Sequence, residues 1–248
     1  MSLSSPDRFD SLFNVELPSA PYPGLRPFEK REWPVFFGRE KMIDEVINQL
    51  IQKHLVVVHG DSGCGKSSLI RAGVLAQLKQ EHARSGVGWR TCTMLPRDAP
   101  LWGLAKALAK LDGREDDTEH VREIRRRLNL GADAPAALAK MLRQGEDDRI
   151  CILVDQFEEL FAFAKRHGSD EARLFVDVLV SLQRNSPPGL YAILTMRSEF
   201  LGVCARYRGL AEAVNKTQYL LSRMERPALL RAIRDPRSAS RRRSMAAR

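Results

Sequence analysis

An apolar, β-branched run, Leu55 to His59 (LVVVH), stops at a glycine and gives way to a loop that few local structures can use. The loop is Gly60, Asp61, Ser62, Gly63, Cys64 and Gly65, and Lys66, Ser67 and Ser68 follow it. Beyond them Leu69, Ile70, Val74, Leu75 and Leu78 repeat at helical spacing. The order is strand, glycine loop, Lys-Ser, helix, the context in which G-x-x-x-x-G-K-[ST] carries meaning. Glycine is needed because the loop wraps so tightly that its N–H groups point inward, into φ/ψ values a Cβ would block. The helix adds its positive N-terminal end, so residues 60–68 form a polyphosphate cradle. In that chemistry Lys66 reaches the β- and γ-phosphates and the Ser67 hydroxyl faces Mg²⁺.

The rest of the chain supplies a sheet to carry such a loop. Arg149 to Asp155 is an apolar run ending in an acid, and Leu190 to Met196 is another that delivers Arg197. Strands buried on both faces of a parallel sheet look like this. Trp89 to Leu95 reads as a further strand and Gln218 to Leu221 as a short edge strand. Helical spacing covers residues 42–51, three stretches within 101–145, Glu158 to about Lys165, and 170–184 with Ser169 as its cap. Strands alternating with helices predict an α/β, doubly wound, mainly parallel sheet of about five strands. Three prolines in Pro21 to Phe28 forbid regular structure and predict an extended strap laid over a surface. The segment Phe36 to Glu40 admits two readings, plain core or the wall of a base pocket beside the loop. Phe37, Gly38 and Arg39 are therefore nucleotide candidates.

Bulk properties exclude some classes. At 248 residues there is room for one sizeable domain. No apolar run approaches the roughly 18–20 residues of a membrane span, and the N-terminus has no signal pattern. A cytoplasmic protein with no membrane partner is expected. Cys64, Cys92, Cys151 and Cys204 are scattered, without a C-x-x-C pair, and read as reduced thiols. The net charge is +9, but residues 223–248 hold nine arginines against two acids, so most of the basic character belongs to the tail. A charge run of this kind is more often a solvated face than a nucleic-acid footprint, so nucleic acid is not the expected partner. The expected organisation is a disordered N-terminus over 1–20, a core over 21–235 and a disordered basic tail over 236–248.

Asp155 ends its strand about ninety residues after the phosphate loop, where the acid that holds Mg²⁺ alongside the loop hydroxyl belongs. Ser67 and Asp155 are thus the metal candidates. The next residue is Gln156, which cannot take a proton; Glu158 and Glu159, three and four positions past Asp155 at a helix start, are candidates to swing back to a water in line with the γ-phosphate. Glu158 is preferred, because Glu159 also serves as a helix-start acid favoured by the dipole. Arg197, at the next strand end, can sense a γ-phosphate and stabilise its developing charge, or else pair with Glu199 or Asp155. Arg71, one turn past Ser67, reads as a surface or inter-element salt bridge. The catalytic candidates are Lys66, Glu158, Glu159 and Arg197.

Four segments together resemble the STAND class of P-loop NTPases, most closely the novel STAND group found ahead of WD or other repeats in bacterial proteins. They are PYPGLRPF (21–28) with FFGRE (36–40), GDSGCGKSSLIRAG (60–73), VDQFEELF (154–161) and TMRSEFLG (195–202). The resemblance implies the P-loop NTPase three-layer sandwich and ATP-dependent switching, with ATP and Mg²⁺ as cofactors and with protein partners or self-association in full-length relatives. The sequence carries no Asn/Thr-Lys-x-Asp guanine motif, and it is the resemblance alone that favours adenine. The acidic pair resembles that of NACHT domains, which supports Glu158. Cys64 departs from the family, which has a small residue such as serine there. Such proteins also continue into a helical lid and a repeat sensor, whereas this sequence turns arginine-rich after Asp235 and Pro236, as a truncated product would. The expected function is a slowly hydrolysing Mg-ATP switch domain. The alternatives are a nucleotide-binding fragment without turnover and a small-molecule phosphotransferase using the 101–145 helices as a lid. A DNA-associated ATPase of the origin-recognition type, which shares the Gly-Arg-Glu segment, is a further one.

Overall fold

The structure is a computed structural model that describes residue 18 and residues 22–85 and 87–246, with the backbone alone for 81–85 and 237–246. The expectation for residues 1–20 therefore lies, apart from Pro18, outside the described residues. Five strands form one all-parallel sheet in the order β2-β3-β4-β1-β5. They are β1 (Leu55–Gly60), β2 (Gly88–Met94), β3 (Asp148–Val154), β4 (Leu190–Arg197) and β5 (Gln218–Leu220). All six residues of β1 are buried, which is why its sequence is a continuous apolar run. The edge strand β2 is only partly buried and mixes apolar with polar residues.

Side chains alternate between two core clusters, as the pleat requires. Val56 and Val58 face α1 (Glu40–Lys53) and the helix after the loop, against Val46, Leu50, Leu69 and Ile70. Leu55 and Val57 face the opposite layer, built from α4 (Pro100–Ala109), α5 (Thr118–Leu128), α6 (Ala134–Leu142), α7 (Glu159–His167), α8 (Asp170–Asn185) and α9 (Leu210–Thr217). Leu101, Leu104 and Leu108 are at most 2% exposed there, so the 101–145 helices are a core layer and not a lid. Ser169 stands at the N-cap of α8, but its side chain makes no capping hydrogen bond.

The helix after the loop is not one α-helix. It runs as α2 (Lys66–Ser68), a π segment over Leu69–Val74 and α3 (Leu75–Ser85), and the Leu75 amide donates to Ile70 O, five residues back. The last helix, α10 (Arg226–Ala246), contains Pro236 and runs across the boundary expected at residue 235.

The register places the working ends together. Gly60 of β1 pairs with Arg197 of β4, and Val154 of β3 pairs with Leu194 of β4. β4 therefore lies between the strand that carries the loop and the strand that carries the acid. Connections leave β1 over one face and β3 and β4 over the other, and in such sheets ligands bind outside the carboxyl ends where connections diverge.

Candidate functional site

The loop leaves β1 at Gly60, where an added Cβ would lie 2.9 Å from Cys64 Sγ and 3.2 Å from Leu221 O. Gly63 and Gly65 both have positive φ, 74° and 94°. Lys66 Nζ donates to Gly60 O at 2.9 Å and to Asp61 O at 2.7 Å, bridging the start of the loop from its far end. Of the expected loop residues, Asp61, Ser62 and Gly63 are exposed, whereas Cys64, Gly65, Ser67 and Ser68 are half-buried. The Ser68 hydroxyl accepts from the Phe28 amide at 3.1 Å, so it is engaged by the strap. All four cysteines are free, and burial pushes the Cys92 thiol up to about 12.

Asp155, 1% exposed, follows β3 and stays in the sheet by donating its amide to Met94 O. Its Oδ1 accepts from Ser67 Oγ at 2.8 Å and from Thr195 Oγ1; its Oδ2 accepts from Arg71 Nη2 at 2.7 Å. The hydroxyl and acid expected to share a metal are thus in contact. Thr195 also accepts from the Gln156 amide at 2.9 Å. Gln156 has φ +54°, a left-handed conformation uncommon for a residue with a Cβ. This turn leaves Gln156 exposed, buries Phe157 in the core and brings Glu158 to the head of α7.

Glu158 is half-buried, and burial raises its carboxyl above the usual range. Hydrogen bonds from its own and the Arg197 backbone N–H, and the charges of Lys66 and Arg197, oppose that rise. Its Oε2 has no hydrogen-bond partner. Glu159 begins α7 itself, with its amide donating to Gln156 O. The Arg197 guanidinium pairs with Glu199 and lies 5.8 Å from the centre of the Phe200 ring, and its Nε is buried and unpartnered. Of the two readings weighed for Arg197, the ion pair is present, and its partner is Glu199 and not Asp155.

Arg39 is buried against the loop. Its guanidinium donates to Cys64 O at 3.2 Å and to Ser222 O at 2.7 Å, so it braces the loop against the segment after β5. Gly38 has φ +87°, and a Cβ there would stand 2.5 Å from Ala228 O. Phe37 is half-buried. Of these three candidates, Arg39 meets the loop directly.

The residues fit a triphosphate and a divalent ion. Glu158 Oε2, at the head of α7 and within the field of Lys66, and Arg197 Nε, at the end of β4 beside β1, are buried polar atoms without hydrogen-bond partners. Among the described residues no three His, Cys, Asp or Glu side chains cluster. A hard cation here would take the Ser67 hydroxyl and the Asp155 carboxylate, with phosphate oxygens and water completing its shell. The residues that sequence reasoning missed are Thr195 and Glu29. Glu29 pairs with Arg71 at 2.6 Å. Thr195 offered one signal, a hydroxyl inside an otherwise apolar strand.

A profile of the family described as Novel STAND NTPase 1 matches residues 21–245. No curated protein sequence matches the chain. Among solved structures, the Aeropyrum pernix ORC1 protein in complex with DNA is similar at 18% identity and TM-score 0.55, covering 84% of this chain and 51% of that one. The Aeropyrum pernix ORC2 protein, solved as ADPNP-ADP complexes, is similar at 13% identity and TM-score 0.51, covering 84% and 50%. The chain spans about half the length of these solved proteins, and the likeness is one of fold. Among the described residues no helix is long and apolar enough to cross a membrane.

Proposed function

This chain belongs to the novel STAND NTPase 1 family, and from that membership we propose that it is the Mg-ATP-binding, slowly hydrolysing switch domain of a signal-transduction ATPase. The Ser67–Asp155 hydrogen bond carries the reading, because it joins the hydroxyl of the cradle to the acid of a second strand beside Lys66. Lys66 holds the β- and γ-phosphates, and residues 60–68 wrap the rest of the polyphosphate. Ser67 and Asp155 would hold Mg²⁺, whose charge would offset that of the phosphates. Glu158 takes the proton of a water in line with the γ-phosphate, and its orphaned, partly desolvated oxygen suits a base. Arg197 reads the γ-phosphate. Phe37, Gly38 and Arg39 border the base, and Glu159 is the second candidate acid.

The domain works over residues 21–235, in the cytoplasm, with protein partners. Nucleic acid is not proposed, because seven of the nine net charges lie beyond Leu221. Turnover of this chain is proposed at or below ~0.01 s⁻¹, near unassisted P-loop hydrolysis. The test is calorimetric titration with Mg-ATP, Mg-ADP and Mg-GTP, together with phosphate release. Lys66→Ala should nearly abolish triphosphate binding, and Glu158→Gln should keep binding while slowing hydrolysis by about 10²–10⁴. A Lys66→Ala chain that binds Mg-ATP within about twofold of the parent overturns the cradle. Equal, mild effects at Glu158 and Glu159 overturn the assignment of the base.

A further inference from the structure

Ser67 and Arg71 are four residues apart on one helical path, and both reach the same carboxylate. Ser67 Oγ donates to Asp155 Oδ1 at 2.8 Å, and Arg71 Nη2 donates to Asp155 Oδ2 at 2.7 Å. Asp155 is 1% exposed, so its charge is balanced by Arg71 and not by solvent. The other arm of the guanidinium, Nη1, reaches Glu29 Oε1 at 2.6 Å. Glu29 belongs to the segment that ends the N-terminal strap, and its side chain is 45% exposed. One cation thus bridges the acid of the site to the strap. The strap is tied to the same helix a second time, through the Phe28 amide and Ser68 Oγ. At its other end Tyr22 donates to Ile233 O of α10.

A guanidinium and a divalent ion are competing partners for one carboxylate. Both are positive, both draw on the same oxygens, and each disfavours the other at a few ångströms. Resting on the reading of Asp155 as the metal-facing acid, we infer that Arg71 is a built-in counter-cation that competes with the divalent ion for Asp155. Glu29 is the partner onto which Arg71 is drawn as the ion binds, so metal occupancy and strap docking are coupled. The coupling has a definite sign. Without Arg71, Asp155 has no internal rival for the ion and affinity rises. Without Glu29, displacing Arg71 leaves a half-buried cation unpaired, so affinity falls. The coupling is reciprocal, so the ion tightens the strap by the same factor that the strap tightens the ion.

The probe is Mn²⁺, titrated into the full chain at saturating ADP and followed by the electron spin resonance of the free ion. Arg71→Gln should tighten Mn²⁺ by about fivefold or more, within the usual range of coupling between sites. Glu29→Gln should weaken it by about twofold to fivefold. The double variant should match Arg71→Gln, because Glu29 acts only through Arg71. Arg71→Lys, which keeps the charge but cannot fork between two carboxylates, should fall between parent and Arg71→Gln. Hydrogen exchange at the Phe28 amide should slow when Mn²⁺ binds the parent and not when it binds Glu29→Gln. A merely structural role for Arg71 would move both single variants in the same direction. That result, no change in either, or additive effects in the double variant, overturns the inference. Asp155→Asn separates the two layers of argument. If it leaves Mn²⁺ affinity unchanged, the metal assignment falls and the inference with it. If it removes Mn²⁺ binding while the Arg71 and Glu29 variants move together, the inference alone falls.

Discussion

Glu158, the proposed base, sits where burial works against its charge. Burial raises its carboxyl, while its own amide, the Arg197 amide, Lys66 and Arg197 pull the other way. A base acts in its ionised form, so hydrolysis should fall as pH drops through this raised value. The acid limb of a pH–rate profile should therefore lie above the ordinary glutamate value of about 4.3. The sign for stability is opposite. A carboxyl raised in the folded state adds stability below its unfolded value and loses it as pH rises through the folded one. Glu158→Gln has no such loss, so its melting temperature relative to the parent should climb between pH 4 and pH 8. A flat difference across that range would mean that Glu158 is solvated as an ordinary surface acid. Arg197→Ala should cost ATP affinity more than ADP affinity, as befits a contact to the γ-phosphate alone. Titration showing equal losses would leave Arg197 as the structural partner of Glu199.

At the scale of elements, the strands were legible and the strap's seat was not. β1, β4 and the last five residues of β3 are almost wholly buried, so burial wrote itself into the sequence as mainly apolar runs, with Gly60 and Arg197 at the ends of β1 and β4 and Asp155 just past β3. Helix existence was equally plain from spacing. The π segment over Leu69–Val74 was not, because six residues cannot distinguish its period from 3.6. Nor could spacing show that Arg71 meets Asp155 and Glu29, which lie 84 and 42 residues away along the chain. The prolines of the strap announced an extended segment but not what holds it. One part of that hold is Glu32, 6% exposed at its side chain, which takes both arms of Arg26 and the Glu29 amide and so fixes the turn that presents Phe28 and Glu29 to Ser68 and Arg71. The Arg26 hydrogen bond chiefly lowers the Glu32 carboxyl to about 2. A lowered carboxyl contributes stability above its unfolded value of about 4.3 and loses it as pH falls toward 2. The strap should stay docked at pH 5 and release between about pH 4.3 and 2, as hydrogen exchange at Phe28 would show. Glu32→Gln should release it at neutral pH, with faster tryptic cleavage after Lys30. Unchanged cleavage in that variant would mean that the Ser68 and Arg71 contacts suffice without it.

At the scale of the whole molecule, the described residues build two hydrophobic clusters on one shared sheet, with the glycine loop at its carboxyl edge. The cradle is braced from several directions at once. Arg39 joins it to the segment after β5, Gly38 seats Ala228 of α10, and Thr195 of β4 ties Asp155 to the centre of the sheet. A ligand in contact with residues 60–68, Asp155 and Arg197 therefore touches β1, β3 and β4, the strands whose opposite faces supply both clusters. Binding to the folded state alone stabilises it by RT ln(1 + [L]/Kd), about 2.7 kcal/mol at one hundred times Kd. For a chain of this size about 1 kcal/mol moves the midpoint by roughly 2–4 °C. Mg-ADP at that excess should raise the melting temperature by about 5–10 °C, in a single calorimetric transition, and Lys66→Ala should remove the rise. Two transitions, of which only one responds to nucleotide, would show that the layer of α4 to α6 melts apart from the cradle. The sheet would then not be the element that transmits nucleotide binding through the molecule.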